Sequence, residues 1–205
     1  VSALFVISVS VISFAIVVAR RRTAAVFLVA MQSVLLGTYA LIHGFGESGA
    51  LLVGGVLLAG KGVLLPLGLA WVIRRAREPH MIPGELPPLA RLIAVAAVTF
   101  AAVELVPSLG LDSRAADQGA VALVLLGISI AVFRRSAVFQ AVGFLVAENG
   151  VYLAALSVPE GLPAVVEIGV LFDLVIVVAV AAMFTTRIHD EFGTGDTSLL
   201  KDLHD

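Results

Sequence analysis

Seven long apolar stretches, at about 2–19, 23–43, 49–73, 90–108, 117–133, 137–157 and 163–186, take up most of this 205-residue chain. The hydrocarbon core of a bilayer is about 30 Å thick and takes roughly 20 apolar residues of helix to cross. The runs are continuous rather than alternating, which fits helices and not barrel strands. With 60% hydrophobic and 14% charged residues, a soluble domain of this length could not hide its apolar surface. The predicted fold is all-α: an integral membrane protein with seven transmembrane helices.

The basic residues supply an orientation. Those at 20–22, 74, 75, 77, 91, 134, 135, 187 and 201 all fall on one side of this arrangement. Arg114 falls on the other side, and Lys61 lies within a span. By the positive-inside rule the chain is N-out and C-in, a multi-pass protein of the cell (inner) membrane with a cytoplasmic tail. The positive charges follow the first apolar run instead of preceding it, so that run reads as a retained anchor and not a signal peptide.

The organisation expected is a three-helix unit at 1–73, a connecting span at 90–108, a second three-helix unit at 117–186 and a cytoplasmic tail at 187–205. Between the first unit and the connecting span, residues 74–91 (RRAREPHMIPGELPPLAR) form a Pro/Arg-rich cytoplasmic loop. The two units look like copies. Spans two and six share FLVA (Phe27–Ala30 and Phe144–Ala147), and SVLL at 33–36 lies against GVYL at 150–153. Spans three and seven share Gly55-Val56-Leu57 and Gly169-Val170-Leu171. Two parallel three-helix repeats joined by the fourth helix would satisfy both, although short matches also arise by chance between Val/Leu/Ala-rich helices.

Against this apolar background the polar residues inside the spans stand out. A charge at the bilayer centre costs roughly 2.5–3.5 kcal/mol on insertion scales and commonly marks an ion or proton path. Lys61, Glu148 and Asp173 lie near the middle of spans three, six and seven. At 1.5 Å of rise per residue the two acids are about 15 Å deep. A carboxyl that exchanges between neutral and charged forms there is what a proton relay requires; a permanently protonated acid would instead serve as an interhelical hydrogen bond. Glu167, six residues before Asp173, is either the next step of such a path or an interfacial residue. Lys61 is followed by Pro66, which cannot donate to the carbonyl of Gly62 and so opens or kinks the helix beside it. Gln32, at the middle of span two, could bridge a water wire or bond a neighbouring helix. Glu104 is close enough to the end of span four to reach water.

Other chemistry is disfavoured. There is no cysteine, so thiolate metal sites and iron–sulfur clusters are excluded from this chain, and the four histidines have no ligand-like spacing. Phosphate-loop, dinucleotide and zinc motifs are missing from the sequence. No cofactor and no nucleic acid partner is expected; lipid is. In the tail, Asp196 can cap a short helix with Leu199, Leu200 and Leu203 on one side, suited to docking on a partner subunit.

The segment FLVAENGVYLAAL, with VEIGVLFDLVIVVAVAAMFTTRIHDEFGTGDTSLLKDL after it, resembles component E of hydrogenase-4-type membrane complexes. Its last three spans are also similar to the K subunit of respiratory complex I, a three-helix protein with a mid-membrane glutamate in its second and third helices. By position, Glu148 matches the first of these. Glu167 keeps the residue type of the second, while Asp173 better keeps its distance to the polar tail. The resemblance implies a non-catalytic membrane subunit of a complex I-like oxidoreductase, carrying part of a lateral proton relay that couples redox chemistry to pumping. The partners it implies are antiporter-like membrane subunits, a quinone- or hydrogenase-side membrane subunit and a peripheral redox arm. Nickel–iron and iron–sulfur centres would lie in those partners.

Three rival readings use the same residues. An Mrp-type cation/proton antiporter complex has a K-like subunit, but commonly one of three helices. A stand-alone small-molecule carrier would work without partners. A retinal protein also has seven spans, but its lysine belongs in the last helix and here it is in the third.

Overall fold

A computed structural model of the protein describes residues 1–44, 60, 62, 63, 67, 87–134 and 137–158. Within them the chain forms five helices: α1 (Ala3–Val18), α2 (Arg22–Gly44), α3 (Pro88–Leu105), α4 (Arg114–Phe133) and α5 (Ala137–Ala155). No β-strand occurs among the described residues. Helices α2 to α5 are long and apolar enough to cross a bilayer; α1 is equally apolar but 16 residues long. These five are spans one, two, four, five and six of the sequence. Spans three and seven lie outside the described residues, apart from helical Gly60, Gly62, Val63 and Leu67.

Local chemistry sets the helix ends. Ser2 caps α1, its hydroxyl accepting from the Phe5 amide at 3.4 Å. Ser113 does the same for α4, accepting from the Ala116 amide at 3.2 Å, and Asp117 adds a negative charge to that first turn. Helix α3 begins earlier than hydropathy suggests, at Pro88, because proline at the first helical position gives up no bond and arrives with helical φ. It stops at Leu105, short of the expected 108, because Val106 precedes Pro107 and is pushed into an extended conformation. Arg91, expected in the connecting loop, therefore lies in the first turns of a helix.

The helix directions follow from contacts at the ends. The Asp112 amide donates to the Ser157 carbonyl at 2.7 Å, and the Val1 amino group lies 3.4 Å from the Asp112 carboxylate. The starts of α1 and α4 thus meet the end of α5. At the opposite end the charges of Arg91 and Arg22 act on Arg134. Helices α1 and α4 run one way, and α2, α3 and α5 run the other. In cross-section α1, α2, α5 and α4 form a closed ring in that order, with α3 outside against α1 and α4.

Small residues permit the tightest of these contacts. A Cβ on Gly127 of α4 would stand 2.5 Å from the Gly143 carbonyl oxygen of α5, and one on Gly143 would stand 2.6 Å from that of Gly127. Neither position admits a side chain, so the two backbones touch there. Van der Waals packing of this kind holds helices together where lipid removes the hydrophobic drive between them. The outer surface is apolar: Leu4, Phe27, Ile93, Phe100 and Val132 are all exposed. Such a surface suits hydrocarbon and not water.

Candidate functional site

Two apolar clusters fill the ring. One, toward the arginine end, contains Ile12, Ile16, Val26, Val29, Leu126, Ile130, Val142 and Val146. The other, toward the opposite end, contains Val6, Val9, Leu36, Leu123 and Leu153. Between Val29 and Leu36 on α2, and between Val146 and Leu153 on α5, the sequence turns polar. Gln32, Ser33, Glu148 and Asn149 are all buried there, with Ser13 of α1 beside them. This polar layer divides the core near mid-helix.

Its hydrogen bonds run across three helices. The Gln32 amide nitrogen donates to the Val9 carbonyl at 3.1 Å and to the Ser13 hydroxyl at 2.6 Å. Ser13 in turn donates to the Val9 carbonyl at 3.3 Å. The Gln32 amide oxygen accepts from the Asn149 amide nitrogen at 3.0 Å. Asn149 also donates to the Ser33 hydroxyl at 3.0 Å, and Ser33 donates back to the Asn149 oxygen at 3.1 Å. Both N–H bonds of each amide are thereby used, which fixes which way each amide points. The path is unbroken from α1 through α2 to α5.

Glu148 precedes Asn149 and is 2% exposed. It is the one titratable side chain among the described members of the layer. Amides and hydroxyls hold position without changing protonation state, whereas a carboxyl can take up and release a proton. The layer therefore does two things at once. It ties α1, α2 and α5 together at one height, and it holds an acid at that height inside the ring. A fourth segment reaches the same level: a Cβ on Gly62 would lie 2.8 Å from Ser33 Cβ and 3.2 Å from the Val34 nitrogen. Gly60 and Gly62 flank position 61; Lys61 itself lies outside the described residues, as do Glu167, Asp173, Asp196, Leu199, Leu200 and Leu203.

Of the five relay residues expected from the sequence, the structure describes Gln32 and Glu148, both buried and one helix apart. Gln32 bonds neighbouring helices directly, through Asn149 and the α1 backbone. Glu104, at the end of α3, is exposed, as expected. Sequence reasoning missed the parts played by Ser13, Ser33 and Asn149. One signal was present. Gln32 and Asn149 stand 117 positions apart, the same offset that aligns the two FLVA strings. Burial follows the same offset: Ala25, Val29, Gln32 and Leu36 are buried, and so are Val142, Val146, Asn149 and Leu153. Among the described residues no three His, Cys, Asp or Glu side chains converge in a way that could hold a metal ion.

The chain is 31% identical to the uncharacterized protein Rv0085 of Mycobacterium tuberculosis, in an alignment covering 94% of this chain and 91% of the mycobacterial one. It belongs to the same family as that protein. No protein-family model matches the chain, and no solved structure matches it.

Proposed function

We propose that the chain is a non-catalytic, seven-span, N-out/C-in subunit of a complex I-like or hydrogenase-4-type membrane complex, and that it carries part of a lateral proton relay. The observation that carries this reading is Glu148, an acid buried within a hydrogen-bonded polar layer that lies between two apolar clusters. An acid at that depth is costly, and its neighbour Asn149 is bonded to Gln32 and Ser33 of α2. The resemblance to component E and to the K subunit supplies the function such an acid serves. Gln32 stands beside it as a neutral member of the same path, and Lys61, Asp173 and Glu167 are its proposed charged members.

The parallel-repeat topology has support of its own. Helices α1 and α4 run in one direction and α2 and α5 in the other, as two copies of a unit require. The Gln32–Asn149 bond joins positions that the repeat makes equivalent. Helix α2 ends at one end of the ring and α3 starts at the other, so the chain changes ends between them. One span over 49–73 accounts for that.

Mild-detergent copurification with identification of every partner tests the assembly. A nickel–iron or iron–sulfur subunit is expected; antiporter subunits alone would favour the Mrp-type reading. In the intact complex, Glu148→Gln and Asp173→Asn should each abolish proton pumping while leaving assembly and soluble-dye redox activity in place. Pumping that survives both changes means the relay reading is wrong.

A further inference from the structure

We propose that the arginine end of the ring is a binding site for a phosphate-bearing anion, held by Arg91 and Arg134 with Arg22 beside them. The three come from different helices: Arg22 begins α2, Arg91 lies four residues into α3, and Arg134 follows the last residue of α4. They are 4%, 3% and 5% exposed. Arginines at spans' ends ordinarily extend into water or among lipid headgroups. These three turn inward, toward one another.

Their charges are close enough to interact. The Arg134 guanidinium is pushed down to about 10, first by burial and then by the charges of Arg91 and Arg22. At neutral pH it is still a cation. The Phe139 ring lies under it, 3.4 Å from ring centroid to guanidinium carbon, and fixes its plane. Hydrogen-bonding capacity is left over. Among the described residues, Nε and Nη2 of Arg91 and Nη2 of Arg134 are buried and donate to nothing. The described acids are elsewhere: Glu104, Asp112 and Asp117 belong to the opposite end, and Glu148 to the mid-helix layer.

Buried like charges with unused donors call for a multivalent acceptor. A phosphate group fits on three counts. Its negative charge offsets the mutual repulsion, its oxygens accept from several guanidinium edges at once, and arginine's planar fork matches that geometry. Chloride offers charge without directed acceptors. The position is at helix ends, where a span meets the headgroup layer, so the phosphate would come from a lipid headgroup or from solution.

The test uses the full chain in neutral detergent and follows thermal unfolding. Inorganic phosphate is titrated against equal ionic strength of chloride, and in a second arm phosphatidylglycerol is added against phosphatidylcholine. A ligand that binds the folded state raises Tm by mass action. A rise with inorganic phosphate alone identifies free phosphate as the ligand, and a rise with phosphatidylglycerol alone identifies a lipid headgroup. Either supports the site. Arg91→Gln and Arg134→Gln should each weaken the apparent affinity by about tenfold, the equivalent of losing one charge-assisted bond. Arg134→Lys keeps the charge and removes the fork, and should lie between, so the comparison survives if a glutamine variant fails to fold. No rise beyond the chloride and phosphatidylcholine controls in the unmodified protein overturns the proposal, and so does a full rise retained in all three variants.

Discussion

The mid-helix layer and the arginine end both bury polar groups among apolar helices, and they do so in opposite ways. In the layer, neutral amides and hydroxyls satisfy one another across α1, α2 and α5, with each amide N–H in use. At the arginine end, cations gather with like cations and leave donors unused. The first arrangement uses every amide N–H of Gln32 and Asn149; the second lacks an anion among the described residues. Buried polar groups of the first kind hold helices in register, and those of the second kind mark a place for something to bind.

The contrast can be broken most forcefully at Asn149. Replacing it with Leu removes its bonds to Gln32 and Ser33 and leaves the Gln32 amide oxygen buried without a donor, so a loss of about 1–3 kcal/mol is expected. Chemical or thermal unfolding in detergent would register it. Gln32→Leu should have an effect of similar kind, since it strips the bonds to Val9 and Ser13. The double variant then sharpens the comparison. With both partners gone, its loss should fall short of the sum of the singles by about 0.6–1.7 kcal/mol, the range seen for hydrogen bonds between membrane helices. Strict additivity would mean that the layer's bonds contribute nothing jointly.

The arginine end should respond the other way. In neutral detergent with chloride as the only anion, Arg134→Gln is expected to change stability by less than either layer variant, because it relieves repulsion while it removes packing on Phe139. A loss as large as that of Asn149→Leu would erase the distinction between the two regions. The smallest effect concerns pH. A base whose folded value is depressed carries its full penalty below that value and sheds it as pH rises. Arg134 should therefore add stability as pH rises above about 10, and that rise should vanish in Arg134→Gln.

Much of this architecture was legible from the residues alone, for a reason peculiar to lipid. Where hydrocarbon is the solvent, a span must be helical and nearly uncharged, so hydropathy finds α2, α4 and α5 within a few residues. Its errors fall at prolines, where backbone geometry and not hydropathy decides: Pro88 starts α3 early and Pro107 ends it early. Gln32 and Glu148 were visible as polar residues inside apolar runs. Ser13 and Ser33 were not, because a serine in a membrane helix can satisfy itself on its own backbone, as Ser8 does with the Leu4 carbonyl at 2.8 Å. The arginines were visible as topology signals and lipid contacts, but their burial was not. Their burial depends on three helix ends meeting, and no single stretch of sequence carries that information.

The contact between Gly127 and Gly143 limits how this protein can move. Two backbones in direct contact have no side chains between them to rearrange, so α4 and α5 can shift only as a single body. Any sliding of that pair must then occur along its seams with α1, α2 and α3. The seam with α2 carries the Gln32–Asn149 bond one residue from Glu148, so the acid sits where that seam is pinned in register.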